Sequence, residues 1–231
     1  MTLNDLFAQL SYGELSNLAL ANKGNGTIRE EDKPRIVHYA NEALTRIYAR
    51  FILNEKDVLL KLYTGITNYH FDSNYAMSNE AAKFPYIMDL PNEPFNNDVL
   101  KVLEVRDQTG CKVPLNDAEQ ARSVYTPRPT VMQVPYAESG KVLSVLYQAS
   151  HPKLSIDYPD EEVSIPDVLA GALRCYIAYS AYSHMNTRTS SASANENLAL
   201  YNMICDEADE GDLVNSSIST TNTRFEQNGW T

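Results

Sequence analysis

The side chains that could do chemistry are scattered along the chain and match no common catalytic pattern. Residues 139–141, Ser-Gly-Lys, have the composition of the end of a phosphate-binding loop. However, Val142 follows the lysine, and Pro135 occupies the position of the first glycine. A phosphate-binding loop needs that glycine for its tight turn, and it needs a serine or threonine hydroxyl to bind magnesium. The sequence therefore predicts no nucleotide site in this segment.

The histidines form no metal-binding or catalytic pattern either. The chain has four, at His38, His70, His151 and His184. None belongs to an H-E-x-x-H motif, which places two metal ligands on one face of a helix. No G-x-S-x-G nucleophile turn is present. Each histidine is therefore more typical of a surface or packing residue than of a ligand.

The cysteines and the acidic residues near Gly211 also lack the spacing of a site. Cys111, Cys175 and Cys205 are odd in number and far apart, which favours a reducing compartment over a disulfide scaffold or a zinc site. The aspartates around Gly211 lack the ligand spacing of an EF-hand and indicate a solvated helix end. We therefore predict that the chain is not an enzyme and has no catalytic, cofactor or metal site. An enzyme whose site assembles from distant residues is the weakest alternative.

Composition narrows the function further. The chain has 231 residues, 43% of them hydrophobic, and a net charge of −11. A protein that grips nucleic acid by its phosphates normally presents a basic face, so the charge argues against DNA binding as the main role. No apolar run approaches the 18 residues of a membrane-spanning helix, and the N-terminus lacks the basic region of a signal peptide. These features predict a protein without a membrane anchor.

Helical periodicity marks the first fifty residues. Residues 2–21 predict a short helical region that breaks near Gly13, with Thr2 or Asn4 as its cap. A longer helix is predicted at 30–53. Its start is indicated by Thr27 and Glu30, which have the spacing of a capping box.

Helical periodicity returns near the C-terminus, at 165–185 and 190–210. Ser164 is predicted to cap the first of these helices, with Pro166 in its first position. Gly211 is predicted to end the second helix. Small residues make the first helix slim, which allows close approach to its neighbours; they are Ala170, Gly171, Ala172, Ala178 and Ala181.

The middle of the chain changes to the alternating pattern of β-strands. Strands are predicted at 58–64, 99–106, 130–134, 142–149 and 154–156, with antiparallel pairing between 99–106 and 142–149. The many prolines of this region exclude long helices. Residues 72–97 are predicted to form a long polar loop, and a loop of that length is usually a binding element or a mobile excursion.

This order of elements predicts an α+β fold. Residues 1–55 and 164–212 are predicted to form the two parts of one helical bundle, and 56–163 a β-rich antiparallel insert. Residues 213–231 are predicted to be an extended C-terminal arm. The arm is polar but contains two large aromatic residues, Phe225 and Trp230. Such a segment cannot build its own core, so a partner surface is predicted to order it; folding back onto its own domain is the alternative.

Three stretches resemble a known family of structural proteins. They are residues 40–48, Ala-Asn-Glu-Ala-Leu-Thr-Arg-Ile-Tyr; residues 165–174, followed by a second helix with Glu196 and Tyr201; and residues 224–230, Arg-Phe-Glu-Gln-Asn-Gly-Trp. With this order of elements, the chain resembles the head–tail adaptor, or connector, proteins of tailed bacteriophages. These include the tail tubular A proteins of short-tailed phages. The β-rich insert matches that family in placement and character.

The resemblance implies a structural role in the virion. Adaptors of this family form a ring, usually a dodecamer, in the neck between the portal protein and the tail or nozzle protein. DNA passes through the central channel without specific binding, and an acidic wall would suit that passage. The ring would be assembled in the host cytoplasm. The C-terminal segment would reach the portal, with Arg224, Phe225, Asn228 and Trp230 as the predicted interface.

Contacts between subunits are predicted on the slim helix. Ala172, Tyr176, Ala178 and Tyr179 are the candidate packing residues, since small and aromatic side chains suit a close interface. For the tyrosines of this helix, Tyr176, Tyr179 and Tyr182, an equally weighted interpretation makes them ordinary core and boundary residues. A different class of function also stays open, namely a monomeric module that binds a ligand or protein through its β insert and the 72–97 loop.

Overall fold

The chain folds into an α+β structure made of two compact units. The computed structural model describes residues 1–90, 92–185 and 187–214. The helical unit consists of Met1–Ala40 and the described residues from Ile156 onward, and the β-rich unit consists of Asn41–Ser155. The α+β fold class predicted from the sequence is thus confirmed. The domain boundaries predicted at 55/56 and 163/164 stay predictions.

Four α-helices occur in the described part of the chain. They are α1 (Leu3–Tyr12), α2 (Lys33–Arg50), α3 (Asp167–Ser183) and α4 (Arg188–Glu210). A 3₁₀ turn at Ala19–Ala21 follows α1. The boundary between the two units falls inside α2, after Ala40.

Helix α1 begins and ends as the sequence predicts. The Thr2 hydroxyl accepts a hydrogen bond from the Asp5 amide at 3.1 Å, and the Asp5 carboxylate accepts one from the Thr2 amide at 2.8 Å. This capping box satisfies two amides at the start of the helix. The helix stops before Gly13, whose amide donates to the Gln9 carbonyl. The predicted break near Gly13 and the predicted Thr2 cap are confirmed.

The predicted start of α2 is wrong. Thr27 forms no capping box with Glu30; its hydroxyl instead lies 2.6 Å from the Asn25 side-chain oxygen. Glu30 pairs with Lys33 at 2.6 Å. The helix begins at Lys33, which places Pro34 in the first turn, where a missing amide hydrogen costs no helical bond. A start near Thr27 would have placed this proline in the helix interior.

The C-terminal helices differ from prediction mainly at their starts. Pro166 precedes α3 in extended conformation (ψ 142°) and makes no side-chain cap, so the predicted cap at Ser164 and helical position of Pro166 are wrong. Thr187 caps α4 by accepting a hydrogen bond from the Ser190 amide at 3.1 Å. At the other end, the Gly211 amide donates to the Glu207 carbonyl, so the predicted stop is confirmed.

The core of the helical unit ties the chain's N-terminus to the segment before α3. The Leu3 amide donates to the Glu161 carbonyl at 3.2 Å, and the Val163 amide donates to the Met1 carbonyl at 2.9 Å. Apolar side chains of all four helices are fully buried, among them Leu6, Leu10, Ile36, Leu173 and Cys205. An ion pair of 3.0 Å joins Arg174 of α3 to Glu14.

The β-rich unit contains two antiparallel sheets. Its strands are β1 (Glu55–Lys61), β2 (Asn68–His70), β3 (Ile87–Met88), β4 (Val99–Asp107), β5 (Lys112–Val113), β6 (Tyr125–Arg128), β7 (Val131–Gln133) and β8 (Val142–Ala149). The larger sheet has the order β3-β1-β8-β4-β5, and the smaller has the order β2-β7-β6.

Residues of both sheets share one buried core. Alternate residues of the central strands point into it, such as Val58 and Leu60 of β1 and Val145 of β8, together with the aromatic rings of Tyr69 and Tyr86. Strand β4 pairs with β8, and Val105 lies opposite Val145. The predicted pairing of these two strands is therefore confirmed.

The predicted strand at 154–156 is wrong, because a side chain takes the place of a strand partner. The Leu154 amide donates to the Asn41 side-chain oxygen at 2.9 Å. The Asn41 side-chain amide in turn donates to the Leu154 carbonyl at 3.0 Å. An asparagine side chain carries the same donor and acceptor as a peptide group, so it satisfies an extended residue that belongs to neither sheet.

Candidate interaction surfaces

The histidines were predicted to be ordinary packing or surface residues, and two of them, His38 and His184, both contact the Tyr39 ring. His151 is buried, with Nδ1 2.8 Å from the Pro152 carbonyl and Nε2 3.2 Å from the Thr45 hydroxyl. His184 stacks on Tyr39, with ring centroids 5.7 Å apart. Across 1–90, 92–185 and 187–214, no group of three or more His, Cys, Asp or Glu side chains could hold a metal ion.

The cysteines are free thiols, and two of the three are buried. Burial raises the pKa of the Cys175 thiol to about 11, and the negative charge of Glu14 adds to this effect. A thiol with so high a pKa is a weak nucleophile near neutral pH. Cys175 is therefore a packing residue of α3.

Three of the four residues predicted to pack between subunits are covered within a single chain. Ala172, Tyr176 and Ala178 are buried in the core of the helical unit, and Tyr179 is half-buried. The Tyr176 ring contacts that of Tyr201 of α4, with centroids 5.3 Å apart. Contacts of these residues with a second chain stay a prediction. In the single chain they fill the space between α3 and its neighbours.

Other apolar side chains of α3 and α4 are exposed. Val168 lies at the start of α3, and Leu200 and Met203 lie on α4; each is between 39% and 49% exposed. These residues are more accessible to a neighbouring molecule than the alanines of α3. The predicted portal-interface residues Arg224, Phe225, Asn228 and Trp230 lie outside the described part of the chain.

The β-rich unit has a cleft of about 360 Å³ beside strand β1, here called the β1 cleft. Its walls come from β1 itself, from the loop that follows β3 and from one tyrosine of β8. The lining residues are Glu55–Leu59, Met88, Asp89, Leu90, Glu93, Pro94, Phe95, Asn96 and Tyr147. The predicted binding loop at 72–97 thus supplies one wall of a real cleft.

A satisfied polar network supports the wall of the β1 cleft. The Lys56 ammonium lies 2.8 Å from one oxygen of the Asp98 carboxylate, and the Tyr147 hydroxyl donates to the other at 3.0 Å. Burial raises the pKa of Tyr147, and the adjacent negative charge of Asp98 raises it further. The tyrosine therefore remains a neutral donor, and Lys56 is already engaged by Asp98.

Asp89 holds the loop that forms the opposite wall. Its carboxylate accepts hydrogen bonds from the Ser78 amide and the Phe95 amide, each at 2.9 Å, and from the Ser78 hydroxyl. Burial alone would raise the pKa of Asp89, but these hydrogen bonds outweigh it and lower the pKa. The ionised carboxylate thus fixes two points of the loop to each other.

The cleft is acidic and partly apolar. Glu55, Asp57 and Glu93 are exposed at its rim. Leu90 is 65% exposed and Leu59 is 38% exposed. Carboxylates beside exposed leucines suit a partner segment that carries both cationic and apolar side chains.

Strand β1 also has an open edge at this cleft. It pairs with β8 along its whole length, from Glu55 to Lys61. On the other side it pairs with β3 only at Leu59 and Leu60. Within the described residues, Glu55–Val58 have no strand partner on that side. An unpaired strand edge is a site where another extended segment can add to a sheet.

The opposite edge of the same sheet carries positive charge. We call this surface the basic edge; it consists of the side chains of Lys101, Arg106 and Lys112 on β4 and β5. All three are exposed. Glu104 lies between them, 2.5 Å from Lys112 and paired with Arg106 as well. The hydrogen bond from Lys112 and then that from Arg106 lower the pKa of Glu104 despite its partial burial. One carboxylate thus pairs with two of the three cations here.

These surfaces belong to an α+β protein. No family model matches the chain, and no curated protein sequence matches it. Within the described helices, none combines the length and the apolarity that crossing a bilayer requires.

The β1 cleft was missed at the sequence level, although part of its signal is present. Glu55, Asp57 and Leu59 alternate with Lys56, Val58 and Leu60, which indicates one outward and one inward face. The outward Leu59 is apolar, which is a local sign of a contact surface. The loop at 88–96 approaches β1 only in the folded chain, so no spacing along the sequence could reveal the cleft.

Proposed function

We propose that the chain is a structural head–tail adaptor of a tailed bacteriophage, acting as a ring in the virion neck between the portal and the tail. The observation that carries the proposal is the arrangement of the chain. Helix α1 and the start of α2 belong with α3 and α4 to one compact unit, and Asn41–Ser155, with all the strands, forms another. A helical unit built from both ends of the chain, with a β-rich unit between them, agrees with the resemblance at 40–48, 165–174 and 224–230, although most of 40–48 lies in the β-rich unit.

The charge of the chain supports passage of DNA rather than its capture. A net charge of −11 repels phosphates, and a DNA-gripping surface would require clustered cations instead. Three cations cluster at the basic edge, but Glu104 partly neutralises them. The proposal therefore expects no salt-dependent affinity for duplex DNA in a gel-shift or filter-binding measurement.

The decisive experiment combines the purified full chain with the portal protein of the same phage. Native mass spectrometry and electron microscopy of the mixture should show a cyclic complex with several adaptor copies on the portal. Adaptors of the resembled family include members that stay monomeric until they meet the portal, so the mixture is measured beside the free chain. A full chain that leaves the portal unbound would overturn the proposal.

Removal of 213–231 is the matched variant for that experiment. The truncated chain should keep the circular dichroism spectrum and melting temperature of the full chain, because every described helix and strand ends before residue 213. It should lose binding to the portal, since the proposed portal interface includes Phe225 and Trp230. A truncated chain that binds the portal and completes heads as well as the full chain would exclude the arm from this role.

A monomeric binding module is the second candidate, and the β1 cleft is the observation that favours it. Its 360 Å³ lie within the size range of ligand clefts, and its loop comes from the predicted binding segment 72–97. This candidate expects a monomer both alone and with the portal. It also expects replacement of Leu90 by lysine to abolish ligand or partner binding while leaving the melting temperature unchanged.

A further inference from the structure

We propose that the β-rich units of neighbouring copies associate head to tail, with the basic edge of one copy seated in the β1 cleft of the next. The inference rests on the proposed ring and names the surfaces that would close it. The occupant of the cleft is thus a second copy of this chain, which presents its β4–β5 edge.

The two surfaces lie on opposite sides of the larger sheet. The β1 cleft lies at one end of the strand order β3-β1-β8-β4-β5, and the basic edge lies at the other. Neighbouring strands are about 4.8 Å apart, so β1 and β5 are separated by about 14 Å. Within one copy the surfaces face away from each other. Complementary surfaces on opposite sides of a subunit produce head-to-tail assemblies, which close into rings when the rotation allows.

The charges of the two surfaces carry the second step. Four carboxylates line the cleft, those of Glu55, Asp57, Asp89 and Glu93, and its one lysine, Lys56, is engaged by Asp98. The basic edge presents Lys101 together with Arg106 and Lys112, both of which pair with Glu104, so three cations and one carboxylate leave a net charge of +2. The Asp107 carboxylate at the end of β4 is turned into the adjacent hairpin, where it accepts hydrogen bonds from Thr109 and Cys111. Opposite charges of this kind fix register and speed association.

The open edge of β1 carries the third step. Glu55–Val58 have no strand partner at the cleft within the described residues, whereas β8 pairs with them on the other side. An extended segment seated there can form main-chain hydrogen bonds in addition to ion pairs. Leu90 and Leu59 beside this edge supply exposed apolar surface for the same contact.

Charge reversal in two sets of variants tests the proposal. The first variant carries Asp57→Lys with Glu93→Lys, and the second carries Lys101→Glu with Lys112→Glu. Glu80→Lys and Lys83→Glu are the matched controls, since both residues are exposed in the 72–97 loop and do not line the cleft. Circular dichroism and melting curves establish that every variant is folded.

Assembly is measured on full chains with and without the portal protein, by sedimentation velocity and native mass spectrometry at low and high salt. Each variant alone should associate at least about tenfold more weakly than the unmodified chain, because like charges then face each other. An equimolar mixture of the two variants should recover assembly, since each variant's surfaces complement those of the other. The controls should behave as the unmodified chain, and high salt should weaken its association.

Zero-length carbodiimide coupling between ¹⁴N and ¹⁵N chains locates the contact. Links from Lys101 or Lys112 of one isotope to Glu55, Asp57 or Glu93 of the other are expected. Rings that form with links elsewhere, or that ignore the charge reversals, would overturn this interface and leave the adaptor function standing. A chain that assembles neither alone nor with the portal would overturn both. Linked edges without a closed ring would support the interface and overturn the ring.

Discussion

The helical unit and the β-rich unit differ in the size of the side chains that they pack at close contacts in their cores. Helix α3 buries small side chains, including Ala172, Ala178 and Ala181. A Cβ atom at Gly171 would lie 3.3 Å from the Ile204 side chain of α4, so the two helices approach closely. The β-rich unit buries large rings instead, among them Tyr69, Tyr86 and Tyr147. The close approach of α3 and α4 thus depends on small side chains, although the helical unit buries rings such as Tyr176 and Tyr201 as well.

The two cores also treat polar groups differently. In the helical unit, Thr2 and Thr187 cap the starts of helices, and the buried Ser11 hydroxyl donates to the Ala21 carbonyl. In the β-rich unit, polar side chains enter the core and form hydrogen bonds with main-chain groups that are not paired within the sheets. Gln148 donates to the carbonyls of Tyr48 and Phe51, and the Tyr86 hydroxyl binds both main-chain groups of His70. The β-rich unit should therefore be more sensitive to the loss of single polar atoms.

The largest effect is expected from charge and volume added to the helical core. Ala172→Glu or Ala178→Glu places a carboxylate at a fully buried position. An unpaired buried charge and the added volume should together destabilise the fold by at least about 3 kcal/mol. Thermal melting, with hydrogen exchange followed peptide by peptide, should show loss of protection that begins in α3 and α4.

Ala199→Glu is the matched control for that experiment, because Ala199 is exposed on α4. Its melting temperature should stay close to that of the unmodified chain. If the buried substitutions left the melting temperature unchanged, the close packing of α3 would not be what stabilises this unit. A folded variant that only failed to assemble would instead place these alanines between subunits.

An intermediate effect is expected from removing one oxygen atom from the β-rich core. The Tyr86 hydroxyl accepts from the His70 amide at 2.8 Å and donates to the His70 carbonyl at 3.0 Å. Tyr86→Phe leaves both groups without this partner and should cost about 2 kcal/mol of the free energy of unfolding. Denaturant unfolding measures the loss. Tyr136→Phe is the control, since Tyr136 is 71% exposed and should show no change.

Local patterns in the sequence predicted the elements, while contacts between distant residues decided some of the exceptions. The alternation of apolar and polar residues at 99–106 and 142–149 predicted β4 and β8. Helical spacing followed by Gly211 predicted the end of α4. The wrong start of α2 has a local cause, since Thr27 bonds Asn25, whereas the failure at 154–156 has a long-range cause. Residues 154–156 have the composition of a strand, but the Asn41 side chain replaces the partner strand.

The candidate surfaces, too, could be predicted only as far as local sequence patterns determine them. The alanines in the sequence predict that α3 is slim. Whether those alanines face a second subunit or α4 depends on tertiary packing, which the helical periodicity of the sequence does not specify. The 72–97 segment was predicted to be one long loop, but a 3₁₀ turn (Ser73–Tyr75) and strand β3 lie within it. Its position against β1 depends on Asp89, which binds Ser78 and Phe95 across the loop. Such hydrogen bonds leave no regular spacing in the sequence.

The smallest expected effect is a difference between the two units in their stability at low pH, and it would sharpen the comparison. Four carboxyl groups of the β-rich unit have a lowered pKa: Asp89, Glu104, Asp107 and Glu138. Within the described part of the helical unit, only Asp5 has one. A carboxyl group with a lower pKa in the folded chain stabilises the fold above its ordinary value of 3.8 or 4.5. That stabilisation is lost as the pH falls through the folded-state pKa.

Acid should therefore weaken the β-rich unit first. Hydrogen exchange at steps from pH 6 to pH 3, corrected for the intrinsic rate, should show protection falling earlier in β3, β4 and the 88–96 loop than in α3. Asp89→Asn should remove part of this pH dependence in the loop, because asparagine does not ionise. Salt at 0.5 M should reduce the share that comes from the exposed partners of Glu104 more than the share from the hydrogen bonds of Asp89. Equal losses of protection in both units would show that these carboxylates do not distinguish them.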